Sequence, residues 1–259
     1  FKWWALIIAV VFVISELVCV VCVPERPVAC DEKPGKISDM FKALFKNDQA
    51  MTVVVSIILV YTSLNICGNL VLYFFRFDVG NEGAYSIFAA VAFAAQVLVM
   101  MVIPLLRKRF SKSQLFISGF VIQIAGFAVI LIMAFAKLYT PQSWYILCLP
   151  GILIYLGYGM LNVIMTIFLS DSVDYGEVMN GTREESVIFS MQTFTVKLAS
   201  GVAVFLAGLV VDWIHLDTAA AVQTQDTLDA LRMWMTIPSV ILLIAVSYTH
   251  LTLPTNSRV

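Results

Sequence analysis

Residues 187–214 read VIFSMQTFTVKLASGVAVFLAGLVVDWI, a largely apolar sequence interrupted by one lysine. An apolar run of this length exceeds the ~20 residues that a helix needs to cross a hydrocarbon core ~30 Å thick. Lys197 lies about ten residues into the run, roughly 15 Å deep at ~1.5 Å rise per residue. A charge there costs at least about 2.5–3.5 kcal/mol. We therefore expect a membrane helix on which Lys197 faces a polar cavity or a carboxylate.

The rest of the chain repeats this apolar pattern. The 259 residues are 61% hydrophobic and 13% charged, with a mean hydropathy of +0.92. The runs lack the alternation of barrel strands, and a backbone in lipid must satisfy its own hydrogen bonds, so the pattern predicts an all-α polytopic membrane protein. Further runs of spanning length are residues 3–23, 50–75, 85–106, 115–136 and 144–170. The final run, 233–246, is expected to be too short to cross.

The chain divides into four predicted parts. Residues 1–23 form a membrane helix, and 24–49 a cytoplasmic loop in which a short amphipathic helix follows from the spacing of its apolar residues. Residues 50–246 form a transmembrane bundle whose last helix is incomplete. We expect that an N-terminal portion is missing and that 247–259 is a truncated or non-native tail.

Lysine and arginine are distributed unevenly between alternate loops. Positive charge stays on the side from which helices insert, so the richer side is expected to be the cytoplasm. The loops on that side hold Arg26, Lys33, Lys36, Lys42, Lys46, Arg107, Lys108, Arg109, Lys112 and Arg183, whereas the opposite loops hold Arg76, Lys137 and Arg232.

Acidic residues stand at the wrong end of a helix. Asp171, Asp174 and Glu177 follow the fifth span, where the helix dipole already disfavours carboxylates. They therefore need cationic partners, and Arg183 is a local candidate beside basic residues from elsewhere.

A polar stripe continues into the next helix. Ser190, Thr193, Lys197, Ser200 and Gly201 fall on one face, and Gln192 flanks it. Small residues alone would favour helix–helix packing, but Lys197 favours a cavity. In the second span, Tyr61, Asn65, Gly68 and Asn69 also share a face.

Other chemistry finds little support in the sequence. The five cysteines show no paired spacing across the outer loops, and two histidines are too few for a metal cluster. The sequence contains no phosphate-binding glycine loop and no nucleophile–base set, so we expect a protein that is not an enzyme and binds no nucleic acid.

At these residues the chain resembles a known family. The pattern Asp171-Ser-Val-Asp174-Tyr-Gly-Glu177, followed by Gly181, Arg183, Glu185, Gln192-Thr193 and Lys197, is similar to the signature of the glycoside–pentoside–hexuronide:cation symporters of the major facilitator superfamily. KNDQ at 46–49 and RKRFSK at 107–112 support it.

The resemblance implies a twelve-helix carrier of two six-helix bundles in a bacterial plasma (inner) membrane. Here the chain would be the sixth helix, the central loop and the C-terminal bundle. Lys197, Gln192 and Thr193 would lie at the sugar, and Asp171, Asp174, Glu177 and Arg183 would form a cytoplasmic gate. Asn162 stands where the melibiose carrier has a sugar-stacking tryptophan, and Asn65 is a further candidate for substrate binding.

The expected function is therefore symport of a sugar or glycoside with Na⁺ or H⁺ by alternating access. The resemblance places the cation's carboxylates in the N-terminal bundle, so no metal site and no cofactor are expected in this half. Two alternatives stay open: a facilitator-type carrier for an organic anion or lipid-like solute, and a membrane-embedded enzyme.

Overall fold

The computed structural model describes residues 2–22, 45, 47–180, 185–220 and 222–252. Within these residues, seven helices are long and apolar enough to cross a membrane, which confirms the predicted all-α polytopic class. They are α1 (Lys2–Cys22), α2 (Asp48–Tyr73), α3 (Ala84–Leu106), α4 (Lys112–Phe135), α5 (Cys148–Asn180), α6 (Glu185–Trp213) and α7 (Gln225–Thr252). A π-helical turn, Phe74–Asp78, extends α2, and a 3₁₀ turn, Trp144–Leu147, precedes α5.

The chain forms two compact units, residues 1–36 and 37–259. The described part of the first unit is α1, which is apolar apart from Lys2, Ser15 and Glu16. The predicted boundaries at residues 23 and 49 differ from this division and stay a prediction. The amphipathic helix predicted in the 24–49 loop lies almost entirely outside the described residues.

In the second unit, α5 packs against α2, α3, α4 and α6. Helix α2 also packs against α6 and α7, and α7 against α4. The core of this bundle is aromatic and aliphatic, with fully buried side chains that include Phe74, Phe75, Phe127, Leu161 and Ile164. Burying such side chains supplies packing, while the helices satisfy their own backbone groups.

Short polar sequences set where two helices begin. Asn47 caps α2, because its side chain accepts a hydrogen bond from the backbone N–H of Ala50. Ser111 and Gln114 form a reciprocal capping box at the start of α4. Both starts lie at the same end of the bundle as the last turns of α5, since Asn47 and Lys112 each contact that part of α5.

The two ends of the bundle have different chemistry. We call the end with Asn47, Lys112 and Asp171 the inner end and the end with Asp78 and Arg232 the outer end, after the topology that the charge bias predicts. Contacts join distant parts of the chain at each end, which fits antiparallel neighbours with short connections.

The last helix corrects one prediction. Helix α7 begins at Gln225, not at Met233, and runs through Thr252, so the expectation that it is too short to cross was wrong. The apolar run missed its first two turns because they carry Asp226, Asp229 and Arg232, whose charges interrupt the hydropathy signal. The assignment of 247–259 as a tail stays a prediction, and residues 253–259 lie outside the described part.

Candidate functional site

A line of hydrogen bonds joins α2, α5 and α6 within the bundle. The Asn162 amide on α5 donates to the hydroxyl of Tyr61 on α2. One turn further along α5, the Thr166 hydroxyl accepts from the Gln192 amide on α6 at 3.3 Å and donates to the Asn162 carbonyl at 3.0 Å. We call Tyr61, Asn162, Thr166 and Gln192 the polar line. It brings amide and hydroxyl groups from three helices together.

An aromatic pair supports one end of the polar line. The ring of Tyr158 meets that of Tyr61 edge to face, with centroids 5.5 Å apart and planes at 75°. Tyr158 is 7% exposed, whereas Tyr61 is half-buried. Edge-to-face packing restricts the Tyr61 ring, and it thereby restricts the hydroxyl that accepts from Asn162.

Helix α2 carries two further amides on the face predicted from sequence. Asn65 donates to the Tyr61 carbonyl and Asn69 to the Asn65 carbonyl, each at 2.7 Å. We call Asn65 and Asn69 the amide ladder. One N–H of each amide is thus bonded within its own helix, which leaves the second N–H and the side-chain oxygen of each to bind a ligand.

The polar stripe of α6 faces away from the bundle core. Ser190, Thr193, Lys197 and Gly201 are exposed, and a Cβ added at Gly201 would meet nothing within 4 Å. The buried side of α6 instead carries Ala199, Ala203 and Ala207, small residues that suit close packing with α2.

Lys197 is an exposed cation without a partner in the described part of the chain. Thr193 donates only to the Phe189 carbonyl of its own helix, at 3.2 Å. Of the five predicted binding residues, the structure thus places Asn162 and Gln192 in the polar line. Asn65 lies on α2, and Thr193 and Lys197 lie on α6, but none of these three residues is part of the polar line.

At the inner end, an ion pair holds the first residue of the acidic cluster. Lys112 Nζ contacts both carboxylate oxygens of Asp171, at 2.6 Å to Oδ1. The two side chains are 34% and 43% exposed, so solvent screens the pair and its contribution to stability is small. Asp174 and Glu177 are exposed. Arg183, the predicted local partner, lies outside the described residues.

Lys112 as the partner of Asp171 was missed in the sequence, because the two residues are 59 positions apart. The sequence nevertheless contained a signal for this ion pair. The predicted topology places the 107–112 loop and the acidic cluster at the same end, and α4 and α5 are sequential helices with a short connection.

A buried ionic cluster at the outer end was also missed. Arg232 donates from Nη2 and Nε to the two oxygens of Asp78, at 2.6 and 2.8 Å, and from Nη1 to Asp229 at 2.6 Å. The Tyr139 hydroxyl donates to Asp78 at 2.7 Å. We call Asp78, Tyr139, Asp229 and Arg232 the outer clamp. The loop pattern predicts Arg232 in an outer loop, but Arg232 lies in α7 and is only 2% exposed.

The outer clamp binds together α2, α7 and the α4–α5 loop. The Arg232 guanidinium also lies 5.7 Å from the centre of the Phe135 ring at the end of α4. Burial and the neighbouring Asp78 carboxylate raise the pKa of the Tyr139 phenol, so this loop residue remains a hydrogen-bond donor. An arginine that is bidentate to one carboxylate and bonded to a second is an arrangement in which a buried charge is well tolerated.

The described part of the chain contains no group of three or more His, Cys, Asp or Glu residues that could hold a metal ion.

Comparison with known proteins identifies the family. The model of the MFS/sugar transport protein family matches residues 2–256. The raffinose carrier protein of Pediococcus pentosaceus is 25% identical over 213 residues, 81% of this chain and 32% of the relative. The isoprimeverose transporter of Lactiplantibacillus pentosus is 26% identical over 80% of this chain and 42% of the relative. A lactose permease of Lactobacillus delbrueckii subsp. bulgaricus is 24% identical over 95% and 39%.

The chain thus covers less than half the length of each of these relatives. The family match, by contrast, extends over nearly all of its own residues and agrees with the helical membrane fold. The chain therefore belongs to the MFS/sugar transport protein family.

Proposed function

We propose that the intact protein is a symporter that couples the uptake of a sugar or glycoside to Na⁺ or H⁺, in a bacterial plasma (inner) membrane. Family membership and the sugar-specific names of three relatives support a sugar substrate. Carriers of this superfamily bind substrate near the midplane, between bundles that rock about it. This protein is accordingly a transporter and not an enzyme.

The polar line carries this proposal. A sugar offers hydroxyl groups that both donate and accept, together with an apolar ring face. Asn162, Gln192 and Tyr61 supply amide and phenol groups for the hydroxyls, and the Tyr61 ring is suited to the apolar face. Lys197 adds an exposed ammonium group on the helix that carries Gln192.

The acidic cluster would act as the inner gate, which we define as Asp171, Asp174, Glu177 and Arg183. In the structure Asp171 is held by Lys112 in the same bundle. A solvent-screened pair of this kind exchanges partners at little energetic cost, because each charge is already partly hydrated. Such exchange is what a gate needs when the inner face closes and opens again.

The proposal predicts that Lys197→Met abolishes coupled uptake without loss of protein. The substitution removes a membrane-depth charge that costs about 2.5–3.5 kcal/mol, so insertion should be at least as good as in the parent. Uptake of labelled mono- and disaccharides into membrane vesicles, driven by a Na⁺ or a H⁺ gradient and divided by the amount of protein, measures the effect.

Lys108→Met is the matched control, because Lys108 is an exposed lysine outside the spans. It should transport like the parent. Poor insertion of Lys197→Met with normal uptake per molecule would make Lys197 structural. Uptake of organic anions but of no sugar by the parent would favour the anion carrier instead.

A further inference from the structure

We infer that Asn47 is a positioning residue for the acidic side of the inner gate, Asp171, Asp174 and Glu177, because it holds the start of α2 against the acidic end of α5. The inference rests on the proposed function, since it assigns Asn47 a part in the gate. It gives a physical role to the KNDQ segment, which the binding site does not use.

Asn47 uses both ends of its carboxamide while only 3% exposed. Its Oδ1 accepts from the Ala50 N–H at 3.0 Å and so caps α2. Its Nδ2 donates to the carbonyl of Ser172 on α5 at 2.8 Å, across 125 positions of sequence. Asp would keep the acceptor without the N–H donor, and Ser would be too short to cap α2 and reach Ser172 together.

Gly176 makes room for this contact. A Cβ at position 176 would lie 2.7 Å from Asn47 Nδ2, closer than such atoms approach in proteins. Gly176 is one helical turn after Ser172, so the carboxamide occupies the notch between them. The two hydrogen bonds hold it there, and it cannot swing aside without losing one of them.

The contact lies beside the gate's ion pair. Ser172, which Asn47 binds, directly follows Asp171, which Lys112 binds. The end of α5 is thus held by α2 through Asn47 and by α4 through Lys112. Beyond this point α5 runs on to Asn180, and Val178 and Met179 are 85% and 64% exposed. The last two turns of α5 carry Asp174 and Glu177. Their direction depends on the contacts that Asn47 and Lys112 make at residues 171 and 172.

The test follows the accessibility of the inner face in the intact, otherwise cysteine-free protein. A Ser190→Cys reporter, exposed at the start of α6, is labelled in inside-out vesicles with an impermeant thiol reagent. Asn47→Ser and Gly176→Ala should each change the labelling rate about fivefold, the effect of one lost hydrogen bond. In the Asn47→Ser background, Gly176→Ala should add nothing, because the group it strikes is gone.

Gly208→Ala is the matched control, because a Cβ there meets nothing within 4 Å. It should leave the labelling rate unchanged. If Asn47 were merely structural, its replacement would lower protein amount or Tm but not the labelling rate per folded molecule. That result, or additive effects of the two substitutions, would overturn the inference. Labelling needs no sugar, so a failure to transport any sugar would reject the proposed function separately.

Discussion

Arg232 combines a full charge with almost complete burial. Three of its nitrogens donate to two carboxylates, and its side chain is 2% exposed. A buried ion pair adds little net stability over apolar residues of the same shape, but removal of one partner leaves an uncompensated charge. Replacing one charged partner of the outer clamp should therefore lower stability far more than replacing both partners together.

Asp78→Asn should strongly destabilise the protein. It removes the carboxylate that receives two of the three arginine hydrogen bonds, and the expected loss is about 3–5 kcal/mol, the range for breaking a buried pair. Thermal unfolding of the purified protein in detergent measures it. Asp226→Asn, at an exposed position in the first turn of α7, is the control and should leave Tm unchanged.

Replacing both partners checks the cause. Asp78→Asn with Arg232→Met removes both buried charges and leaves only Asp229, whose side chain is 36% exposed. The double variant should be more stable than Asp78→Asn alone. If it were less stable, packing of the arginine side chain and not its charge would explain the effect.

Helices α4 and α5 cross at unusually short range. A Cβ at Gly157 on α5 would lie 2.6 Å from both the backbone nitrogen of Gln123 and the backbone oxygen of Gly119 on α4. Backbone atoms cannot rotate away as a side chain can. The closeness of this crossing therefore depends on the missing Cβ at Gly157.

Gly157→Ala should push the two helices apart and lower stability by about 1–3 kcal/mol, the usual range for overpacking. The shift in Tm in detergent measures it. Gly208→Ala serves again as the control, since the space in front of Gly208 is open, and it should be neutral or slightly stabilising in a helix. A Gly157→Ala protein with parental Tm would show that the crossing can relax.

At the scale of the whole molecule, hydropathy alone predicted the membrane class, because spanning runs need only apolar length. Hydropathy predicted too short a helix α7, because the charged residues of the outer clamp interrupt the apolar pattern at its start. Asn162 and Gln192 could be proposed as site residues and Tyr61 as part of a polar face, but the pairings of Asn162 with Tyr61 and of Gln192 with Thr166 could not. Such pairings depend on which helix faces meet, and hydropathy does not encode that.

The predicted orientation is tested by two reporters in a cysteine-free background. Met179 at the inner end is 64% exposed and Leu138 at the outer end is 56% exposed. A cysteine at 179 should react with an impermeant reagent only in inside-out vesicles, and one at 138 only in intact cells, because positive loops stay in the cytoplasm. The reverse pattern would invert the topology.

The π-helical turn at Phe74–Asp78 sets the rotational phase of α2. Its Val79 N–H bonds to the Phe74 carbonyl five residues back, at 3.0 Å, so the turn holds more residues than an α-helical one. One residue corresponds to about 100° of rotation in an α-helix. A chain one residue shorter here would swing Asp78 by that angle relative to Asn65. Asp78 could then no longer contact Arg232 while Tyr61 contacts Asn162 on α5. The rotational position of the amide ladder relative to Asp78 is thus determined by an extra residue at the outer end, about one to three turns further along the helix.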